Sequence, residues 1–324
     1  MSQVAQRNVS DDEDGIRLDR WFRTHYPELG HGHLQKLLRT GQIRVDGARV
    51  KAGARLQSGQ SIRVPPLGSA PERRAAPEPT QDDADFIRSL VLYQDDDVIA
   101  LNKPPGLAVQ GGTKTHRHLD AMLKALATDP DKQPRLVHRL DKDTSGVLLI
   151  ARSRKAAARL GKAFKAHQAK KIYWALVVGV PRPEEGAIDA PLVKTGKAGE
   201  ERISIDFEGE GDAKHALTRF IVIESAGREF AWVALWPVTG RTHQLRAHMA
   251  AIGHPIVGDG KYGGDAAHPG GEIGRRLQLH ARRIELDSGD GVMLNIEAPL
   301  PPHMAETWRL LGFEGDPGDP FPDL

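Results

Sequence analysis

The sequence has no cysteine among its 324 residues. This absence excludes disulfide scaffolds, zinc sites built on thiolates and cysteine nucleophiles. Long apolar runs are also missing, and the first 15 residues show neither the apolar core of a signal peptide nor the basic amphipathic pattern of a transit peptide. We therefore expect a cytoplasmic protein with no membrane partner.

Acidic residues are missing from one long segment. No Asp or Glu lies between Thr144 and Pro183, although the net charge of the whole chain is only +2. The basic residues of this segment are Arg152, Arg154, Lys155, Arg159, Lys162, Lys165, Lys170, Lys171 and Arg182. A chain whose charges are separated in this way can present a cationic face to phosphate groups.

Several common catalytic motifs are absent as well. The sequence has no Gly-Lys-Ser/Thr phosphate loop, no dinucleotide-binding glycine pattern, no His-Glu-x-x-His and no Gly-x-Ser-x-Gly. His243 and His248 are five residues apart, which does not place both on one helical face for a metal ion. We predict no metal site.

Residues 15–64 are predicted to form a small domain of two helices followed by strands. Leu18, Trp21 and Phe22 have helical spacing, and "HLQKLLRTG" has leucines on one face. The strand signal is "IRVDGARV", in which Asp46-Gly47 suits a tight hairpin turn. An ordinary solubilising surface would explain the basic residues of this segment equally well.

The motifs "RLDRWF", "LQKLLRTGQIRVDG" and "SGQSIRV" make this segment similar to the S4 RNA-binding domain. The resemblance covers nearly all of residues 16–64 and favours RNA as the partner. The RNA-binding residues that it implies are Arg17, Lys36, Arg39 and Arg44.

The rest of the chain divides into a linker, a large domain and a tail. Residues 65–84 are rich in Pro, Ala and charge without periodicity, as linkers are, and residues 313–324 form an acidic tail. In the large domain, residues 85–312, strand-like segments outnumber helices and do not alternate with them. We predict an α+β domain on a mostly antiparallel sheet, with strands at 147–151, 172–178, 220–223, 230–236 and 292–296 and a helix at 154–168 capped by Ser153.

Three segments of the large domain combine residues that can carry chemistry: "HRLDKDTSG", "KKIYWALVVG" and "VTGRTHQLRAH". Strand alternation in the second turns Tyr173 away from the bulky apolar row of Ile172, Trp174 and Leu176. A core tyrosine with its hydroxyl at the rim would have the same pattern. Arg241 follows a turn, where it could clamp a phosphate or hold a carboxylate ionised.

In this order and spacing, "HRLDKDTSGVLL", "KKIYWALVVG", "GRTHQLRAHMAAIGHPIVGDGKYGG" and "LQLHA" resemble the RluA-type pseudouridine synthases over about residues 92–300. The resemblance implies isomerisation of uridine in RNA without a cofactor. It implies that Asp141 acts as nucleophile on the sugar or as base at C2′, that Arg241 pairs with it and that Tyr173 stacks on the base. Gln110, where relatives usually have His, departs from the pattern.

The resemblance also implies which residues contact the RNA. Arg139 is expected beside the flipped nucleotide. The other expected substrate-binding residues are His138, Thr144, His243 and Gln244, and phosphate contacts are expected from Arg152, Arg154 and Lys171. The expected partner is 23S ribosomal RNA or a precursor of the large subunit, bound by a monomer. The same chemistry on transfer RNA, and a non-catalytic RNA-binding assembly factor, are the alternatives; a pure binder would not need Asp141, Tyr173 and Arg241 together.

Overall fold

The computed structural model describes residues 4–67, 79–111, 117–129, 133–196, 202–206, 213–287, 291 and 293–322. The chain divides into two compact units, Met1–Pro77 and Glu78–Leu324. Most of the predicted linker, residues 68–78, lies outside the described residues, as does Val292 of the last predicted strand. Among the described residues, no helix is both long enough and apolar enough to cross a membrane.

The first unit packs two helices against a small antiparallel sheet. Its elements are β1 Ala5–Asn8, α1 Leu18–His25, α2 His31–Arg39, β2 Arg44–Val45 and β3 Ser61–Val64, with strand order β1-β3-β2. Trp21, Phe22 and the leucines of α2 are buried in one core with Ile62. Asp46 and Gly47 both have positive φ, 47° and 79°, as the Asp-Gly turn predicted. Strand β1 comes from residues that precede the predicted domain.

The second unit contains five helices and twelve strands in its described part. The helices are α3 Gln81–Ser89, α4 Leu119–Met122, α5 Arg154–Lys165, α6 Gln244–Ala251 and α7 Pro302–Leu311. The strands are β4 Val91–Gln94, β5 Val98–Lys103, β6 Arg135–Leu136, β7 Ser145–Ala151, β8 Lys170–Val178, β9 Glu185–Asp189, β10 Leu192–Thr195, β11 Arg202–Ile205, β12 Leu217–Ala226, β13 Phe230–Pro237, β14 Leu279–Asp287 and β15 Met293–Glu297.

Ten of these strands form one sheet, and β10 and β11 form a separate antiparallel hairpin. The main order is β4-β5-β7-β14-β8-β13-β12-β9, with β15 beside β14 and β6 beside β7. Among the described strands of this sheet, only β7 and β14 pair in parallel. The α+β class and the mostly antiparallel sheet are therefore confirmed.

Residue alternation along the central strands separates two apolar layers. On β7, Val147 and Leu149 pack with α5, whereas Leu148 and Ile150 pack with the α3 and α4 side. On β8, Trp174 packs with α7, whereas Ala175 packs with α6. Both faces of the sheet are therefore covered by helices, which explains the nearly continuous apolar runs of these strands.

The start and the end of the unit differ from the sequence prediction. Helix α3 begins at Gln81, four residues before the expected domain start, because Thr80 caps it and Ile87 is buried. The acidic tail packs on the domain: Phe313 and Phe321 are buried, and Asp319 pairs with Lys170. Apolar anchors and ion pairs therefore hold these residues in place despite their acidic composition.

Candidate active site

A cavity of about 270 Å³ opens where the loop before β7, the start of β8 and the turn after β13 meet. Its lining includes all three predicted catalytic residues and all five predicted substrate-binding residues, together with Lys171. These are Asp141, Tyr173, Arg241, Arg139, His138, Thr144, His243, Gln244 and Lys171. Residues more than 100 positions apart in the sequence therefore line one cavity.

The Asp141 loop, residues 138–144, is fixed at its base by buried groups. Leu140 is buried in the apolar layer below, and Thr144 is 2% exposed. The N–H of Thr144 donates to the carbonyl oxygen of Asp141 over 3.2 Å, which closes the turn. The side chain of Asp141 keeps 21% of its surface exposed, so the carboxylate faces the cavity from a rigid turn.

Lys103 fixes the same loop from strand β5, and sequence reasoning missed it. It is fully buried, and its ammonium donates to the carbonyl oxygens of Pro104, Leu107 and Lys142 at 2.8, 2.9 and 2.9 Å. Burial lowers its pKa to about 7, while the carboxylates of Asp143 and Asp141 oppose the shift. The only available signal was a lysine ending an apolar strand in "LNKPPG".

Strand β7 is joined to β14 at a position that admits only glycine. Gly146 has φ 109°, and a Cβ there would lie 2.1 Å from the carbonyl oxygen of Ala281. His280, also buried, accepts from or donates to Ser145 Oγ at 2.9 Å and bonds the carbonyl oxygen of Ala298 at 3.1 Å. Since Ala298 offers only an acceptor, Nε2 of His280 carries the proton and Nδ1 accepts from Ser145.

Tyr173 lies on the face predicted for it, opposite Ala281 of β14 and Leu235 of β13. Its ring contacts both apolar clusters of that face. Burial raises its pKa well above the ordinary value, and the charge of Asp141 raises it further. No described residue hydrogen-bonds its hydroxyl, so a protonated phenol is available to a molecule in the cavity.

Arg241 lines the cavity but does not contact Asp141. Its side chain is exposed, and Nε donates to the carbonyl oxygen of His215 at 3.0 Å. Within the described residues, the expected ion pair between Arg241 and Asp141 is therefore not formed. The basic group nearest to the carboxylate among the ion pairs is His243, whose Nε2 is 3.8 Å from Oδ2 of Asp141.

Gln244 builds the turn that carries Arg241. Its Oε1 accepts from Thr239 Oγ1 at 2.7 Å and from the N–H of Arg241 at 3.0 Å. Its Nε2 donates to the carbonyl oxygen of Leu217 and to Thr218 Oγ1 at 2.9 and 3.0 Å. All hydrogen-bonding positions of this amide are occupied by the protein. The expected substrate contact is therefore corrected to a structural role.

His138 forms part of the cavity wall. Its Nε2 accepts from the N–H of Leu149 at 2.8 Å, and its ring stacks on Phe164 with centroids 4.4 Å apart. Burial, together with the nearby charge of Lys171, lowers its pKa to about 3, so the imidazole is neutral. Arg139, by contrast, is exposed and free to reach a nucleotide.

The predicted phosphate contacts are spread over the two units. In the second unit, α5 exposes Arg154, Lys155, Lys162 and Lys165, whereas Arg152 is tied to Asp95 and Thr128. Lys171 is mostly buried at the cavity, which lowers its pKa. In the first unit Lys36 and Arg39 are exposed, Arg17 pairs with Asp19, and Arg44 donates to backbone carbonyls of Gly41 and Gly47.

Metal ligation finds no support in the described part of the chain, where no three His, Asp or Glu side chains cluster suitably. His248 is fully buried and bonds Thr218 Oγ1 and the carbonyl oxygen of Ala190 at 2.9 and 3.0 Å. Both of its ring nitrogens are therefore occupied by the protein.

Comparison with known proteins identifies the family to which the chain belongs. Residues 97–251 match the family model described as RNA pseudouridylate synthase. The chain belongs to the RNA pseudouridine synthase family, of the RluA type, and is an enzyme that isomerises uridine in RNA.

Relatives and solved structures of this family are similar to the chain over most of its length. The chain is 36% identical to ribosomal large subunit pseudouridine synthase C of Salmonella typhi, over 90% of this chain and 92% of that one. It is 34% identical to RNA pseudouridine synthase 4, mitochondrial, of Arabidopsis thaliana, over 90% and 78%. Human RNA Pseudouridylate Synthase Domain Containing 4 matches in structure with a TM-score of 0.59 and 28% identity, over 71% of this chain and 97% of that one.

Proposed function

We propose that this enzyme converts specific uridines of 23S ribosomal RNA to pseudouridine, because relatives of similar sequence are named for the large ribosomal subunit. We also propose that Asp141 is its catalytic carboxylate. The observation that carries the proposal is the convergence of Asp141, Tyr173 and Arg241 on one cavity. The assignment is RluC-like. An RluD-like specificity and a transfer RNA substrate are the competing assignments.

The reaction exchanges one bond of the uridine for another. The bond between N1 of uracil and C1′ of ribose breaks, the base rotates, C5 bonds to C1′, and the proton on C5 is removed while N1 gains one. Asp141 is suited to act as nucleophile at C1′ or as base at C2′, and either route needs an ionised carboxylate. Atoms and electrons balance in this reaction without a cofactor.

Tyr173 is suited to retain the detached uracil. Its ring forms one wall of the cavity, and its raised pKa keeps the hydroxyl protonated at neutral pH. A hydroxyl without a protein partner can donate to a base oxygen and so limit the rotation of the free base to productive positions. We assign Tyr173 to base stacking and hydrogen bonding.

Arg241 is suited to move when RNA enters. Its side chain is exposed, and its bond to the carbonyl oxygen of His215 joins a charged donor to a neutral acceptor. A pairing with Asp141 or with a phosphate is stronger, because both partners are then charged. We propose that the guanidinium leaves His215 for one of these anions in the complex.

RNA binding must offset the extrusion of the target uridine, which costs a few kcal/mol. The exposed cations of α5 are adjacent to the cavity because Phe164 of the same helix lines it. We propose that α5 contacts phosphates around the flipped nucleotide and that the first unit, as an S4-type domain, contacts a second RNA segment. The protein would act in the cytoplasm as a monomer.

The proposal is tested by mapping pseudouridines in 23S and transfer RNA from cells that lack the protein and from the same cells making the wild-type protein, Asp141→Asn or Asp143→Asn. Asp143 is the matched control, since it is exposed, two residues away and changed by the same charge. Specific large-subunit sites should disappear with Asp141→Asn and persist with Asp143→Asn. Persistence of every site with Asp141→Asn would refute the catalytic assignment. Loss confined to transfer RNA would replace the proposed substrate, and an unchanged map without the protein would favour the binding-only alternative.

A further inference from the structure

His243 lies between the carboxylate of Asp141 and the hydroxyl of Tyr262. Its Nε2 is 3.8 Å from Oδ2 of Asp141, and its Nδ1 is 2.7 Å from the Tyr262 oxygen. The same oxygen accepts the backbone N–H of Ile203, in β11, at 3.2 Å. A continuous chain of polar atoms thus runs from the β10–β11 hairpin to the cavity.

The hydrogen bonds of this chain determine which ring nitrogen of His243 is protonated. Burial raises the pKa of Tyr262, so its hydroxyl has a proton to donate at neutral pH. Ile203 can only donate to that oxygen, and the acceptor for the phenol proton is Nδ1 of His243. In the reverse arrangement, the phenol proton would have no acceptor among the described residues. Nδ1 therefore accepts, and Nε2 carries the N–H that faces Asp141.

Tyr262 is held rigidly for this purpose. The guanidinium of Arg246 lies over its ring, 5.1 Å from the centroid. Arg246 is in turn fixed by two 2.7 Å bonds to Asp259, which is 1% exposed. Sequence reasoning missed all three residues, although Asp259 and Tyr262 belong to "GDGKYGG".

The backbone at His243 supports a functional role. This residue precedes α6 with φ 52° and ψ 19°, a left-handed conformation that is strained for a residue other than glycine. Such strain persists where the surrounding structure requires it, and active sites are a common place. Here the conformation directs the imidazole at both Asp141 and Tyr262.

We propose that His243 is a positioning residue for Asp141 and that Tyr262 fixes the tautomer it needs. The neutral imidazole donates from Nε2 to one carboxylate oxygen and leaves the other free to meet the ribose. The present 3.8 Å is longer than a hydrogen bond, and such contacts often shorten only when substrate binds. This inference rests on the proposed catalytic role of Asp141.

The tautomer can be measured directly by ¹⁵N NMR of the imidazoles, with the His243 signals identified by their loss in His243→Gln. At about pH 8, above the usual imidazole pKa, wild-type His243 should have a protonated Nε2 and an unprotonated Nδ1. Tyr262→Phe should give a mixture of tautomers. Tyr93→Phe is the control, because Tyr93 is exposed and Asp95 is the only described residue that its hydroxyl bonds. A protonated Nδ1 in the wild type, or an unchanged tautomer in Tyr262→Phe, would overturn the proposal.

Turnover is measured as the release of tritium from 23S RNA labelled at C5 of its uridines. Tyr262→Phe should lower kcat by about 10- to 100-fold, the range found when groups that orient metal-bound imidazoles are lost, with little change in KM. In a His243→Gln background the same change should lower kcat less than about 2-fold, because an amide donor has no tautomer to fix. Equal losses in both backgrounds would contradict the inference. Normal turnover by Asp141→Asn would instead remove the proposed function and leave the tautomer result standing.

Discussion

The ammonium of Lys103 lies 2.9 Å from the carbonyl oxygen of Lys142, the residue that follows Asp141. Two further carbonyls, of Pro104 and Leu107, complete its contacts inside the protein. The buried side chain of Lys103 on β5 thus fixes the backbone of the Asp141 loop by hydrogen bonds to its carbonyl oxygens. The position of the carboxylate depends on this bond as well as on the sheet.

Lys103→Met should destabilise the protein by about 2–4 kcal/mol, because three carbonyl oxygens lose their donor in a buried place. Denaturant unfolding measures this change, and turnover should fall as the loop shifts. Lys155→Met, on the exposed face of α5, is the control and should change stability by less than about 0.5 kcal/mol. Equal stability of the two variants would show that Lys103 does not hold the loop.

The same lysine gives a pH dependence of stability. Burial lowers its pKa to about 7 in the folded protein, whereas the unfolded chain has a value near 10.4. Between these values the unfolded state binds more protons, so the unfolding free energy rises with pH, by at most about 1.4 kcal/mol per pH unit. The difference in unfolding free energy between wild type and Lys103→Met should therefore grow from about pH 7 to 10. A constant difference would contradict the shift.

Gly146→Ala should destabilise the protein by more than about 3 kcal/mol and abolish turnover, because its Cβ would collide with the carbonyl of Ala281 and push β7 from β14. Gly161→Ala is the matched control. Gly161 lies within α5 with open space around it, so alanine should stabilise by about 1 kcal/mol. Thermal unfolding and tritium release measure both effects, and a folded, active Gly146→Ala would show that the strands can separate without loss.

Tyr173→Phe should lower activity without lowering stability. The hydroxyl has no partner among the described residues, so its removal should leave the unfolding free energy within about 0.5 kcal/mol of wild type. If the hydroxyl serves the reacting base, kcat should fall by about 10-fold or more while KM stays nearly constant. A fall in stability with unchanged kcat would make Tyr173 a core residue only.

Replacing Lys155, Lys162 and Lys165 with Gln should weaken RNA binding and reduce its dependence on salt by about one counterion per lost phosphate contact. kcat at saturating RNA should change little, because these side chains lie outside the cavity. Arg309→Gln on the exposed side of α7 is the control. Filter binding over a range of salt concentrations measures the slope, and an unchanged slope would exclude α5 from the RNA contact.

Local signals in the sequence predicted much of this fold. Ser153 caps α5 as expected, with Oγ accepting from the N–H of Ala156 at 3.1 Å, and Tyr173 lies on the face that strand alternation gave it. The place of β14 was not predictable, because strand order depends on pairing between distant residues. Lys103 and Tyr262 were missed for the same reason, since each acts through a contact that only the folded chain creates.

Strand β14 has a consequence for the time at which the enzyme becomes active. It lies between β7, which follows Asp141, and β8, which carries Tyr173, and no backbone pairing joins β7 to β8 directly in the described part of the chain. Its His280 comes 135 residues after the Ser145 that it bonds. During synthesis from the amino terminus, these two parts of the site cannot be joined through the sheet until β14 has left the ribosome. We therefore expect a nascent chain to carry Asp141 well before it can modify RNA, because 135 residues separate Ser145 from His280.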